Sequence, residues 1–383
     1  MKRLAAKISV FIGITLTSTL ISVAVVQTFP FLAIMGSWVA DLRIANLTTA
    51  EPKHPDIIIA AITEDTLQHF PYRSPVDRAF LADVIEDLRA KGVKAIGIDL
   101  LFDQPTEPIK DQRLKQVIRN SHIPIVSAYA EHEEGLNDKQ VAYLNDFVPK
   151  DLRGYANLAR DSFDGTVRSI YPGRNAEDGT FIGGITGRLA EVLGVDPPTK
   201  EVPIVWRGRP EGQNRAFRIF PAHSIKVIPP ALLKDKIVFI GADLTLTDLH
   251  RTPFAAGLGE KKETLTPGVL IHAHGLAQLV DGKSSAYPGL MMEILLVLSF
   301  TLAAVGASLL AQQLWIRITA VSLFVALLWS IGFVVFHNYK FLMPLITPTI
   351  GVATAMWAVE VYFGQQKDRK GGGEGKEVDG GGG

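Results

Sequence analysis

Polar residues fall where apolar runs stop: Glu64 and Asp65 after Ile57 to Ile62, Asp99 after Ala95 to Ile98, Ser127 after Ile123 to Val126, and Asp243 past Ile237 to Ile240. Asp103, Asp248 and His250 lie close to them in sequence. Gathered together, such oxygens suit a cationic or hydroxyl-rich small molecule, or a hard metal ion. The competing use of acids at strand ends is to cap the helices that follow and to hold loops. Arg78 and Arg168 have the fork that clamps an anion bidentately, but arginine among so many acids also serves as a structural ion pair.

His272, His274 and His250 offer nitrogen ligands. Two histidines at i and i+2 leave a helix about 200° apart, whereas a shared metal wants one face. The spacing therefore predicts one histidine buried in a polar contact and one exposed, with no metal and no cofactor. A hydrolase using Ser127 or Ser224 with His223, His250 or His272 is the enzyme alternative, but neither G-x-S-x-G nor G-x-x-x-x-G-K-[ST] occurs. The candidate ligand-binding set is Glu64, Asp65, Arg78, Asp99, Asp103, Arg168, Asp243, Asp248, His250 and His272.

The elements that must position these residues read as α/β. Ile57 to Ile62 and Ala95 to Ile98 are continuously apolar, which predicts strands buried on both faces. Phe80, Leu81, Val84, Ile85 and Leu88 recur at helical spacing before Gly92. A crossover of this kind makes the two strands parallel, with both acidic ends at one carboxyl edge, where open α/β sheets bind ligands. Asp111 to Asn120 predicts a second helix, Ile123 to Val126 a third strand, Ile182 to Leu193 a helix stopped by Gly194, Ile237 to Ile240 a strand, and Val269 to Val280 a helix. Asp164-Gly165 is a tight-hairpin signal, Glu131 to Lys150 reads as a polar insertion or loop, and Pro197 to Pro203 as a connector.

With 47% apolar and 20% charged residues, the 383-residue chain is expected to combine soluble and membrane segments. Lysine plus arginine equals aspartate plus glutamate at 39 each, which argues against a nucleic-acid partner. Ile8 to Ala40 carries no charge; it is longer than a signal-peptide core of about 7–15 residues, so an uncleaved anchor with an exit segment is expected. Ile294 to Ile316, Ile318 to Phe336 and Phe341 to Val359 are uncharged runs of span length, broken at Arg317 and at His337 to Lys340. Glu293 and Glu360 are expected as solvated interfacial carboxylates, and Pro344 and Pro348 to kink or start the last span. Lys2, Arg3, Lys7, Arg317, Lys367, Arg369 and Lys370 fall on one side of four spans, against Lys340 opposite, so that side is expected in the cytoplasm. The expected layout is an anchor at 1–40, an extracytoplasmic α/β domain at 41–286, three spans at 287–364 and a flexible cytoplasmic Gly-rich tail at 365–383.

The chain resembles the second type of CHASE domain, the cyclase and histidine-kinase associated sensory extracellular module of bacterial receptors. The stretches that carry the resemblance are DLR at Asp41 to Arg43, IIIAAITEDTL at Ile57 to Leu67, YRSPVDR at Tyr72 to Arg78, AIGIDLLF at Ala95 to Phe102 and DGTVR at Asp164 to Arg168. They continue with KIVFIGAD and DLHRTPF between Lys236 and Phe254, and PGVLIHAHGLAQLVDGK at Pro267 to Lys283. Thr63 stands where the family usually has aspartate, and Tyr72 to Ser74 where it has a tryptophan-proline pair. The resemblance implies an inner-membrane sensor, expected as a homodimer, that perceives a small-molecule or protein stimulus. Such sensors usually continue into an output domain; here none follows, so the chain is expected not to be an enzyme and to address a cytoplasmic cyclase or kinase in trans. A structural membrane protein that binds another protein is the second reading.

Overall fold

The computed structural model of the chain describes residues 2–283, 287–310 and 313–374, with side chains described except at 2–7, 260, 309–310 and 367–374. Its contacts divide it into two units, Met1–Arg43 with Ala286–Gly383, and Ile44–Ser285. Helices α1 (Lys2–Thr28) and α2 (Pro30–Leu47) open the chain.

The second unit begins with β1 (Ile57–Ile62), α3 (Glu64–Leu67), α4 (Arg78–Ala90), β2 (Ala95–Asp99), α5 (Pro108–Arg119) and β3 (Ile125–Tyr129). There follow α6 (Asp138–Phe147), β4 (Arg153–Tyr155), β5 (Ala159–Arg160), β6 (Val167–Ile170), β7 (Gly173–Asn175) and β8 (Phe181–Gly183). It closes with α7 (Ile185–Val192), β9 (Val202–Pro203), β10 (Arg218–Pro221), β11 (Ile237–Ala242), β12 (Leu249–His250), β13 (Thr266–Pro267) and α8 (Gly268–Val280).

Six strands form the main sheet in the order β10-β1-β11-β2-β3-β4, every neighbouring pair parallel. All of β1 is buried, and side chains alternate across a strand. Ile58, Ala60 and Ile62 accordingly pack with Leu81, Val84, Ile85 and Leu88 of α4. Ile57, Ile59 and Ala61 pack on the other face with Leu189 of α7 and Val269, Ala273 and Leu276 of α8. Each such isoleucine contributes about 1.5–3 kcal/mol by leaving water, which is why the run is apolar without interruption. At the start of α4, the Asp77 carboxylate accepts the Phe80 N–H at 2.9 Å and so fixes where the helix begins.

Three local expectations are corrected. The stretch 131–150 is not a plain loop: Asn137 accepts from Lys139 and Gln140 backbone N–H groups and starts α6, whose Val141, Leu144 and Phe147 are buried. The hairpin around Asp164-Gly165 is wider than a two-residue turn, because Arg160 pairs with Val167 and residues 161–166 form the loop, with Gly165 at φ +67. Within 182–193, Ile182 and Gly183 belong to β8, and the helix starts at Ile185.

Among the described residues, four helices are long and apolar enough to cross a membrane, with spans at Ile8–Thr28, Leu290–Ser308, Leu314–Tyr339 and Ile346–Gln366. The last three belong to α9 (Leu290–Leu310), α10 (Leu314–Tyr339) and α11 (Ile346–Glu374). The break expected at Arg317 lies earlier, since α10 already starts at Leu314. Arg317 is buried in that helix and donates to Glu360 Oε1 at 2.5 Å. Glu360 is thus no free interfacial acid; a guanidinium in an apolar bundle needs such a partner. Glu293 likewise accepts from Thr347 Oγ1 at 2.6 Å. Thr19 and Thr301 hydroxyls meet at 3.0 Å between α1 and α9. Pro348 falls in the first turn of α11, where a missing N–H costs nothing. That helix runs to Glu374, into the stretch expected as a flexible tail, and residues 375–383 lie outside the described residues.

Candidate functional site

Parallel register aligns the carboxyl ends: Ile62 faces Ala242, Gly241 faces Asp99, and Ile98 faces Ser127. Alternation then divides the strand-end residues. Asp99 follows Ala95 and Gly97 onto the face covered by α7 and α8, whereas Ser127 shares the opposite face with Ile125 and Tyr129. Ser127 Oγ is buried and, among the described residues, has no hydrogen-bond partner.

Asp99, Asp248, His250 and His272 form one cluster beneath α8. Arg160 Nη2 donates to His250 Nδ1 at 2.9 Å, which leaves the ring proton on Nε2, 2.7 Å from Asp248 Oδ1. Thr186 Oγ1 meets His272 Nδ1 at 3.0 Å, and His272 Nε2 lies 4.0 Å from Asp99 Oδ1. Burial, and next the charge of Asp248, pushes the Asp99 carboxyl well above the usual carboxylate range. Burial lowers His272 to about 4. At neutral pH the His272 imidazole is uncharged, and 4.0 Å is too long for a hydrogen bond, so the contact is not an ion pair. Gly268 lets the start of α8 sit over Asp248, because a Cβ there would lie 2.5 Å from Asp248 Oδ2. The adjoining cavity, between Thr186, His272 and Gly275, measures about 10 Å³. That is room for about one water, and the bond from Thr186 of α7 to His272 helps hold α8 on the sheet.

The other six candidates are dispersed. Glu64 pairs with Arg73 and accepts from Thr245 Oγ1 at 3.1 Å, while Asp65 is exposed in the first turn of α3. Asp243 lies 3.5 Å from Arg215, which also holds Glu263 at 2.7 Å. Asp103 accepts from Gln140 Nε2 at 2.6 Å. Arg168 closes the hairpin through Asp161 at 3.2 Å and Asp164 at 2.7 Å; although burial opposes it, the bonds from Arg168 and Thr166 hold the Asp164 carboxyl well below the usual range. Arg78 is buried 3.8 Å from Asp111 and stacks over Phe102, 4.6 Å from the ring centre. His274 is also buried, so neither helix histidine is the exposed one that the spacing predicts: its ring lies among Trp206, Phe217 and Phe254 and accepts the Arg207 N–H at 3.3 Å. Burial lowers its imidazole to about 3. Among the described residues no group of histidine and acidic side chains is arranged to hold a metal.

A cleft of about 610 Å³, which the strand-end pattern does not reveal, opens beside the ends of β3 and the start of β4. Its floor contains Glu131, a buried carboxylate that accepts from Tyr129 Oη at 3.1 Å, from Tyr155 Oη, and from the Glu177 N–H at 3.3 Å. Arg174 lies 3.5 Å from it. Burial lifts the Tyr129 hydroxyl to about 12, so both neighbouring tyrosines act as donors. The one local signal for this region was Asn137-x-x-Gln140, the capping pattern that starts α6.

A family model described as CHASE2 domain matches residues 18–311, most of the chain. Neither the curated proteins nor the solved structures compared with it give a match. Sequence stretches, the two-unit architecture and this match agree: the chain belongs to the CHASE2 domain family, whose members are sensory domains.

Proposed function

We propose that the protein is a bacterial inner-membrane sensor whose α/β unit lies outside the cytoplasm, perceives a stimulus, and passes a conformational bias through four spans to a cytoplasmic effector such as a cyclase or kinase. The observation that carries this reading is the match to a sensory family over a chain whose α/β unit, 44–285, is joined at both ends to a unit of four apolar helices. Charge supports the orientation. Arg317 is compensated by Glu360, which leaves Lys2, Arg3 and Lys7 before the first span and Lys367, Arg369 and Lys370 after the last as the basic groups of one side. A stimulus acts only through unequal affinity for two arrangements of the domain or of its homodimer. The chain itself is a receptor and not an enzyme on this reading.

Alkaline-phosphatase fusions test the orientation. Fusions in the connection between α10 and α11, at 340–345, are expected to be active and fusions after Gln365 inactive; activity only after Gln365 contradicts the proposal.

A further inference from the structure

The cleft beside β3 and β4 contains a cation without a counter-ion. Arg153 is 6% exposed. Its Nε donates to Val148 O and its Nη2 to Asn145 O, each at 2.9 Å, and the guanidinium stacks 4.7 Å from the centre of the Tyr129 ring. Among the described residues no carboxylate lies within 4.0 Å of it, and its fork keeps three N–H groups. A charge withdrawn from water ordinarily has a partner of opposite sign. Here the missing partner has a place, because Arg153 lines a cleft whose volume of about 610 Å³ is that of small-molecule sites.

The rest of the lining narrows the ligand. Three acids, Glu131, Glu177 and Asp178, face three bases, Lys150, Arg153 and Arg188. The lining is neutral, which disfavours polyanions and polycations alike. Glu131 is spent on the tyrosines and Arg174, and Asp178 on Lys150 and the Thr180 N–H. Glu177 engages His132 through Oε1 alone, leaving Oε2 open. We propose that this cleft binds a small zwitterion of the amino-acid class, its carboxylate on Arg153 and its ammonium on Glu177.

Such a ligand bridges two elements. Arg153 starts β4 at the edge of the main sheet, and Glu177 lies on the turn between β7 and β8. Strand β8 leads directly into α7, and Thr186 of α7 bonds His272 of α8. Drawing the hairpin onto the sheet edge therefore loads α8, after which the chain enters α9. This consequence rests on the sensory reading, whereas binding does not.

The test is calorimetric titration of the full chain in lipid nanodiscs with each standard L-amino acid and, for any that binds, the matched acid lacking the ammonium group. At least one amino acid is expected to bind, with affinity reduced about tenfold or more by Arg153→Gln, by Glu177→Gln, and by loss of the ligand's ammonium. Glu177 is exposed enough that its variant reports even if Arg153→Gln fails to fold. No binding by any amino acid, or equal binding by wild type and Glu177→Gln, overturns the inference. Because this readout is independent of orientation, its failure beside the expected phosphatase pattern sinks the ligand class alone.

Discussion

Replacing Asp99 by asparagine separates two descriptions of its contact with His272. If the two side chains formed a buried ion pair, removing one charge would strand the other, at a cost of about 3–5 kcal/mol. Burial of both groups and the 4.0 Å separation indicate a neutral pair instead. Burial disfavours the Asp99 carboxylate, so folding at pH 7 either desolvates that charge or protonates it, and asparagine removes both costs. The variant is expected to be as stable as wild type at pH 7, or more so. Its pH profile gives a second sign. Burial lowers His272 from 6.5 to about 4, so between those values the unfolded chain binds a proton that the folded chain refuses. This stability is present above pH 6.5 and lost as pH falls towards 4, at about 1.4 kcal/mol per pH unit, or about 3 kcal/mol in all. In wild type the raised Asp99 works in the opposite direction, because the folded state keeps a proton that the unfolded state releases, and it offsets part of the loss. Asp99→Asn is therefore expected to steepen acid destabilisation. Urea titrations in detergent micelles can follow Trp206, the sole tryptophan in 44–285, once the other four are replaced by phenylalanine. A loss of about 3–5 kcal/mol at pH 7, or a profile no steeper than wild type, would refute the neutral pair.

Gly241→Ala places a Cβ 2.6 Å from Val269 Cγ2 and should cost about 1–3 kcal/mol in urea titration, with Val269→Ala restoring part of it. Arg168→Gln removes the bonds to Asp161 and Asp164; a loss of about 1.5–3 kcal/mol is expected, seen as faster amide exchange across β5 and β6. Glu360→Gln leaves Arg317 buried without its anion, and a lower thermal midpoint in micelles should be largely restored by the exchange Arg317→Glu with Glu360→Arg.

Strands buried on both faces were legible because they need no partner to be recognised: the runs at β1, β2 and β11 declare themselves, as do the helical spacing in α4 and the long apolar run of α8. Insertion of β11 between β1 and β2 was not, since nothing local in Lys236 to Asp243 names its neighbours. Short edge strands β4 and β10 carry Arg153 and Arg218, and pairing with β3 and β1 makes them strands. The strand-end acids correctly located an edge, but their fates depend on distant arginines such as Arg73 and Arg215 and on which face each residue takes. The cleft was hidden for the same reason: Glu131, Arg153 and Glu177 come from three separate segments that only the tertiary fold brings together.

Placement of 44–285 outside the cytoplasm is tested most directly by thiol labelling, because the chain contains no cysteine. Lys139→Cys, exposed at the start of α6, and Gln365→Cys, exposed on α11, are each treated with a membrane-impermeant maleimide in cells whose outer membrane has been opened. Labelling at residue 139 with protection at 365 is expected; the reverse pattern would contradict the sensor orientation.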